Sequence, residues 1–165
     1  MPEIISETAP LLLLDMEVPA DWLDYNGHMN IAHYTSAVDS AMDAFLDMIE
    51  MGEDYVRGRK SSMFMIQQHM SYIREMHKGE RFVVCARLLD LDEKRYHQFM
   101  EFRSPDGAKL MATSENLLMH VDMEARKATP MPADRHAALK ELLDAHAGLP
   151  LPHNAGRAIT IPRKS

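Results

Sequence analysis

Apolar residues recur at spacings of three and four between Ile31 and Met51, and this pattern predicts one long helix. The apolar stripe consists of Ile31, Tyr34, Val38, Ala41, Phe45 and Met48. Gly52 follows directly and is a natural C-terminal stop for a helix. A second, weaker helical segment is predicted from Asp54 to Arg57, with Gly58 closing it.

Elsewhere the apolar and polar positions alternate, which is typical of strands. A short strand is predicted at 11–18, between Pro10 and Pro19. Four longer strands are predicted after the helix, at Met63–Met76, Glu80–Asp90, Arg95–Arg103 and Ala108–Met123. The sequence Ser104-Pro105-Asp106-Gly107 is a strong reversal signal between the last two. The four strands therefore predict an antiparallel meander.

One strand, one long helix and four further strands make an α+β pattern. Such a sheet can hide its apolar face only by curling around the helix at 31–51. A second amphipathic helix is predicted from Pro132 to Gly148. We therefore expect a single domain over residues 1–148, followed at 149–165 by a proline-containing tail that is either loosely ordered or an arm on a partner subunit.

Composition excludes several classes of function. The chain has 165 residues, a net charge of −7 and no basic block, which argues against a nucleic-acid partner. The single cysteine, Cys85, excludes an internal disulfide, and the nine histidines show no ligand spacing, so no metal site is predicted. There is no phosphate-binding or dinucleotide glycine motif.

The N-terminal segment carries Glu3 and Glu7 and lacks the basic start of a signal peptide. The apolar run from Leu11 to Leu14 is too short to cross a bilayer. These features predict a cytoplasmic protein without a membrane partner.

The densest cluster of reactive side chains lies just before the long helix, in the sequence Asp24-Tyr25-Asn26-Gly27-His28-Met29-Asn30. A helix start offers backbone N–H groups and a partial positive charge, which can hold a carbonyl oxygen that gains negative charge. A nearby carboxylate can act there as nucleophile or base. The alternative interpretation is structural: Asn30 only caps the helix and Gly27 only turns the chain.

The order of elements and the loop pattern Asp-x-x-Gly-His-x-Asn resemble the hotdog-fold acyl-CoA thioesterases of the 4-hydroxybenzoyl-CoA thioesterase type. The resemblance runs from Met16 to Pro132 and includes the segments HMSYIREMHKGERF, LLDLDEKRYHQFMEFR and SENLLMHVDMEARKATPMP. These segments look closest to the subgroup of carnitine and betaine catabolism that hydrolyses betainyl-CoA. The resemblance implies an antiparallel sheet wrapped around a long central helix, an acyl-CoA substrate, no cofactor, and a homodimer or homotetramer.

This chain also departs from the family pattern. Where the family often has Glu-x-Ala-Arg on the helix, this chain has Asp39-Ser40-Ala41-Met42. Where the betainyl-CoA subgroup has a glutamate just upstream of His69, this chain has Gln67 and Gln68. The resemblance therefore does not imply a catalytic or binding role for a glutamate or an arginine on the helix of this chain.

The resemblance implies that Asp24 is the catalytic carboxylate, either as nucleophile or as the base that activates water. It also implies that Gly27 and the helix start lie next to the thioester. Asn26 could position water or the carbonyl, and Asn30 is the expected helix cap. His28 matches the loop, but its role varies within the family, and it could simply bind nearby backbone.

Five further residues are candidates for substrate binding, and each could instead be a packing residue. Trp22 and Tyr25 flank Asp24 and could form an aromatic cage for a quaternary ammonium group. Tyr34 and Phe64 are aromatic residues of the core or of an interface. His69 could line the acyl pocket or meet a cross-strand partner.

Two other functions stay open at this point. The chain could be an acyl-thioester hydratase or dehydratase on the same fold, which would need a histidine and an acid acting at a carbon–carbon position. It could also be a non-catalytic acyl-CoA-binding module. The early aspartate of the loop favours hydrolysis. The resemblance to the betainyl-CoA subgroup implies that the acyl group is short and cationic.

Overall fold

The computed structural model describes residues 10–161, and within them the helices and strands follow the sequence pattern closely. The elements in chain order are β1 (Leu11–Glu17), α1 (Ile31–Met48), α2 (Glu53–Arg59), β2 (Ser61–Tyr72), β3 (Arg81–Leu91), β4 (Arg95–Arg103), β5 (Leu110–Asp122), β6 (Lys127–Ala128) and α3 (Ala133–His146). A single 3-10 turn at Ala20–Trp22 lies between β1 and α1. None of the described helices is long and apolar enough to cross a membrane.

The sheet is antiparallel throughout, with strand order β1-β3-β4-β5-β2 and the short β6 on β5. The predicted meander is right for β3, β4 and β5 but wrong for β2, which pairs with β5 at the far edge of the sheet. Residues 73–80 therefore do not form a hairpin. They cross from the β5 side of the sheet to β1, where the Gly79 N–H donates to the Val18 carbonyl at 3.0 Å.

The sheet curls around α1, as the α+β pattern predicts. The helix residues that are buried are Tyr34, Ala37, Val38, Ala41, Met42 and Phe45. Phe45 is fully buried, and its ring centroid lies 5.5 Å from that of Tyr96 on β4. Ile31, the first residue of α1, departs from the predicted stripe, because its side chain is 66% exposed.

The end of α1 differs from the prediction. The helix stops at Met48, and Glu50, not Gly52, adopts the left-handed conformation, with φ of 54°. Ile49 and Met51 are buried at this point, and Gly52 instead is the N-cap residue of α2. Likewise, Gly58 lies inside α2, which extends to Arg59.

Helix α3 packs against β3, and the segment after it lies on the outer face of the sheet. The N–H of Leu88 on β3 donates to Nδ1 of His146 at 3.1 Å, and burial, together with nearby Arg87, lowers the pKa of His146. Asn154 donates to the Thr113 hydroxyl at 2.7 Å, and the Gly156 N–H donates to the Glu115 carboxylate at 2.9 Å. Residues 150–156 therefore lie on the chain's own sheet. Residues 1–9 and 162–165, with Glu3, Glu7 and the tail's end, lie outside the described residues.

Candidate active site at the start of the central helix

The loop before α1 is a tight turn closed by two backbone hydrogen bonds. The Asp24 N–H donates to the His28 carbonyl at 2.9 Å, and the Gly27 N–H donates to the Asp24 carbonyl at 3.0 Å. Gly27 has a φ of 80°, a backbone conformation that residues other than glycine adopt only with strain. The turn therefore needs glycine for its backbone conformation, since nothing crowds the position of a Cβ there.

The same turn fixes the Asp24 carboxylate. One carboxylate oxygen accepts a hydrogen bond from the Asn26 N–H at 2.8 Å, and the other accepts one from the Asn26 side-chain amide at 3.4 Å. Asp24 is half-buried, whereas Asn26 is exposed. Asn26 thus orients the carboxylate within the turn.

Asn30 caps α1, as predicted. Its side-chain oxygen accepts from the Ala32 N–H at 2.9 Å, and its carbonyl accepts from the His33 N–H at 3.0 Å. By contrast, within residues 10–161 the backbone N–H groups of His28 and Ile31 have no protein acceptor. Two backbone donors next to Asp24 are therefore available to an oxygen atom of a ligand.

The crossing segment after β2 forms the opposite side of the site. The Met29 N–H donates to the Met76 carbonyl at 2.8 Å, and both methionine side chains are buried. This contact places Glu75 against His28, with 3.1 Å between the carboxylate and Nε2. The His77 ring meets the His28 ring edge-on at 5.0 Å between centroids.

A cleft of about 370 Å³ lies between these two segments. It is lined by Asp24, His28, Met29, Ile31, Tyr34, Tyr72, Ile73, Arg74 and Glu75. Tyr34 and Tyr72 meet edge-to-face with ring centroids 5.1 Å apart. Burial, followed by the nearby Tyr72, Glu80 and Glu75, raises the pKa of Tyr34 to about 12. Its hydroxyl therefore stays protonated at neutral pH.

Four residues singled out by the sequence lie away from this cleft. Trp22 stacks on His33 with centroids 4.7 Å apart, and the Tyr25 side chain is 98% exposed, so the two do not form a cage within the chain. Phe64 borders an apolar groove with Met119 and Met123 on the outer face of the sheet. His69 lines a second cleft, also on the outer face of the sheet.

The second cleft, of about 390 Å³, lies where the C-terminal segment crosses β5. His69 lines it together with His97, Glu115 and Arg157. His97 is paired with Glu115 through a contact of 2.7 Å. Within a single chain, His69 therefore lies on the outer face of the sheet and does not line the Asp24 cleft.

Sequence reasoning missed the contribution of the crossing segment. Tyr72, Arg74 and Glu75 line the cleft, and His77 contacts the His28 ring beside it. The alternation of the sequence had predicted a continuous strand to Met76, which includes the first three of these residues but not His77. The strand ends at Tyr72 because Ile73 and Arg74 both donate their backbone N–H to the Met111 carbonyl at 2.9 Å. That departure from ladder pairing has no local signal in the sequence.

The chain is similar to known proteins over almost its full length. It is 37% identical over 155 residues to the L-carnitine dehydrogenase/betainyl-CoA thioesterase of Ruegeria pomeroyi, covering 94% of this chain and 31% of that protein. It therefore spans about a third of that relative. It is 31% identical over 153 residues to the betainyl-CoA thioesterase of Pseudomonas aeruginosa, covering 92% of this chain and 96% of that protein.

The fold is shared with a solved structure of a Staphylococcus aureus protein in complex with CoA. The two superpose with a TM-score of 0.86 at 23% identity, over 93% of this chain and 97% of that one. This likeness, with the sheet curled around α1, confirms the predicted hotdog fold. The family model of the Thioesterase-like superfamily matches residues 18–141, well over half of the chain. The protein therefore belongs to the Thioesterase-like superfamily.

Proposed function

We propose that the protein is an acyl-CoA thioesterase that hydrolyses a short acyl-CoA to the free acid and CoA. The observation that carries this proposal is the position of Asp24. Asp24 lines a cleft together with His28 and Ile31, whose backbone N–H groups have no acceptor within the described chain. The names of the Ruegeria and Pseudomonas relatives support the same activity.

In the proposed reaction the thioester carbonyl lies between Asp24 and the start of α1. The backbone N–H groups of His28 and Ile31 stabilise the negative charge that develops on the carbonyl oxygen. Asp24 either attacks the carbonyl carbon to form a mixed anhydride, which water then hydrolyses, or removes a proton from an attacking water. In both routes the carbon–sulfur bond breaks and the CoA sulfur leaves with a proton. Neither route needs a cofactor.

Release of free thiol from a panel of acyl-CoAs tests this function. Hydrolysis of at least one short acyl-CoA is expected, and no release from any member would contradict it. Hydration of an enoyl-CoA in the same panel would instead support the hydratase alternative, for which the His28–Glu75 pair supplies a histidine and an acid. We also propose a cytoplasmic location, with which the single, unbridged Cys85 is compatible.

We further propose that the acyl group is cationic, with betainyl-CoA as the first candidate. The Tyr34 and Tyr72 rings both line the Asp24 cleft, and the Glu75 carboxylate adds negative charge. Both features favour a trimethylammonium group. Glu75 thus supplies the negative charge that the subgroup's glutamate would carry and that the neutral side chains of Gln67 and Gln68 do not.

The value of kcat/KM should be higher for betainyl-CoA than for a neutral acyl-CoA of similar size. Tyr72→Leu should reduce this preference by about 2–30-fold, since a cation–aromatic contact contributes about 0.5–2 kcal/mol. Trp22→Leu is the matched control, because Trp22 stacks on His33 outside the cleft. Equal values for the two substrates in the wild type would reject the cationic pocket and leave the thioesterase proposal standing.

We propose that the protein forms at least a homodimer through β2. This strand is twelve residues long and lies at the edge of the sheet. Its exposed apolar side chains are Phe64, Met65, Ile66 and Tyr72. A long, apolar edge strand readily pairs with another strand, and a symmetric pair would bury both edges.

Sedimentation of the wild type should therefore give at least twice the 18.8 kDa mass of one chain. Ile66→Lys should shift the protein toward the single-chain mass, because a charge on an edge strand opposes pairing. Leu151→Lys, at an exposed position outside the sheet, should leave the mass unchanged. A fully active wild-type monomer at assay concentration would count against the dimer.

A further inference from the structure

A cluster of possible metal ligands lies at the rim of the Asp24 cleft. His28, Glu75 and His77 each offer one ligand atom, and these three atoms all lie within 4.8 Å of one another. Among the described residues, no other group of histidine, cysteine and acidic side chains meets this geometry. The three residues come from two segments that are distant in the sequence.

The backbone holds the cluster together. The Met29–Met76 hydrogen bond, at 2.8 Å, fixes the two segments side by side. His28 directly precedes one of these residues, while Glu75 and His77 flank the other. The His77 N–H also donates to the Glu80 carboxylate at 3.1 Å, which fixes the turn after it. Buried residues on both segments, Met29 and Met76, therefore fix the backbones that carry the three side chains, while Glu75 and His77 themselves are exposed.

Two imidazole nitrogens and one carboxylate oxygen form a donor set that suits zinc and related divalent transition metals. Three protein ligands would leave one position of a tetrahedral site for water or another small ligand. A simple ion pair between His28 and Glu75 would need no third residue. His77 is exposed, yet it lies edge-on against the His28 ring and completes the set.

We propose that His28, Glu75 and His77 form a binding site for a Zn²⁺ ion. Because His28 and Glu75 also line the Asp24 cleft, a bound ion occupies both of these side chains and replaces the negative charge of Glu75 with a positive one. Zinc binding therefore opposes the binding of a cationic substrate. This second consequence rests on the proposed function, whereas the binding site itself does not.

Calorimetric titration of tag-free, chelator-treated full chain with ZnCl₂ tests the site. One equivalent should bind to the wild type. His77→Ala and Glu75→Gln should each raise the Kd at least about tenfold, because the loss of even an indirect partner of a metal ligand costs about 10–100-fold. His153→Ala removes an exposed histidine elsewhere and should leave the Kd unchanged. Circular dichroism of each variant confirms that it is folded.

Failure of the wild type to bind zinc at millimolar concentration would overturn the proposal. Equal affinities of the wild type and a folded His77→Ala would do the same. His97→Ala provides a further check, because His97 and Glu115 form a separate histidine–acid pair. Loss of binding in that variant, with binding kept in His77→Ala, would place the ion there and also overturn the proposal.

An activity measurement then tests the coupling to the cleft. Zinc should inhibit hydrolysis by the wild type. For His77→Ala, the zinc concentration that gives half-maximal inhibition should be at least about tenfold higher, in line with the change in Kd. Activity that is insensitive to saturating zinc would overturn the coupling. If no acyl-CoA is hydrolysed at all, the proposed function fails, and the titration alone still decides the metal site.

Discussion

Replacing Asp24 with asparagine is expected to lower kcat by about 10²–10⁴-fold, the usual contribution of a positioned catalytic acid or base. An amide has nearly the same size as a carboxylate but is neither a nucleophile nor a base. The fold should survive, because the asparagine oxygen can still accept the Asn26 N–H that now binds the carboxylate at 2.8 Å. Thiol release and circular dichroism, measured on the same preparation, check both expectations.

Asp21→Asn is the matched control for this variant. Asp21 lies in the same connection before α1, is exposed and does not line the cleft. Its replacement should leave kcat within about twofold, since a surface substitution rarely disturbs a distant site. Asp24→Asn with near-normal activity and a normal spectrum would remove Asp24 from the mechanism and leave the turn as its sole role.

Replacing Phe45 with alanine is expected to lower the free energy of unfolding by about 3–5 kcal/mol, as is typical for a buried phenylalanine. The side chain has no exposed surface and lies between α1 and Tyr96 of the sheet. Its loss would leave a cavity in the contact that holds the sheet around the helix. For a chain of this size, the melting temperature should fall by about 6–20 °C.

Tyr25→Ala provides the contrast, because this aromatic side chain is 98% exposed. It should change the stability by no more than about 0.5 kcal/mol. The folded fraction of Phe45→Ala should still hydrolyse substrate at low temperature, since Phe45 does not line the cleft. An unchanged melting temperature would show that the inferred helix face is wrong.

The local part of the site could be predicted from the sequence. The Asp24 turn, the Asn30 cap and the start of α1 depend on residues within a few positions of one another, and their signals are read directly from the chain. The burial of Phe45 follows equally from the helical spacing of apolar residues. The family resemblance added the chemical role proposed for Asp24.

The faces of β2 were harder to assign. Alternation shows that neighbouring residues of a strand point to opposite sides, but it does not show which side faces α1. Phe64 and His69 lie on the outer face, and this became clear only from the pairing of β2 with β5. The same pairing leaves β2 as an edge, on which the dimer proposal depends.

By itself, the sequence determined the α+β composition, the central helix, the antiparallel strands and the Asp24 turn, because each arises from short-range spacing. The tertiary structure alone decided the path of residues 73–80. Their crossing beside the start of α1 brings Arg74 and Glu75 into the Asp24 cleft, next to Tyr72 at the end of β2, and His77 to His28. These contacts join segments that are distant in sequence, and they follow from strand order and from the buried Met29–Met76 contact, neither of which has a local sequence signal.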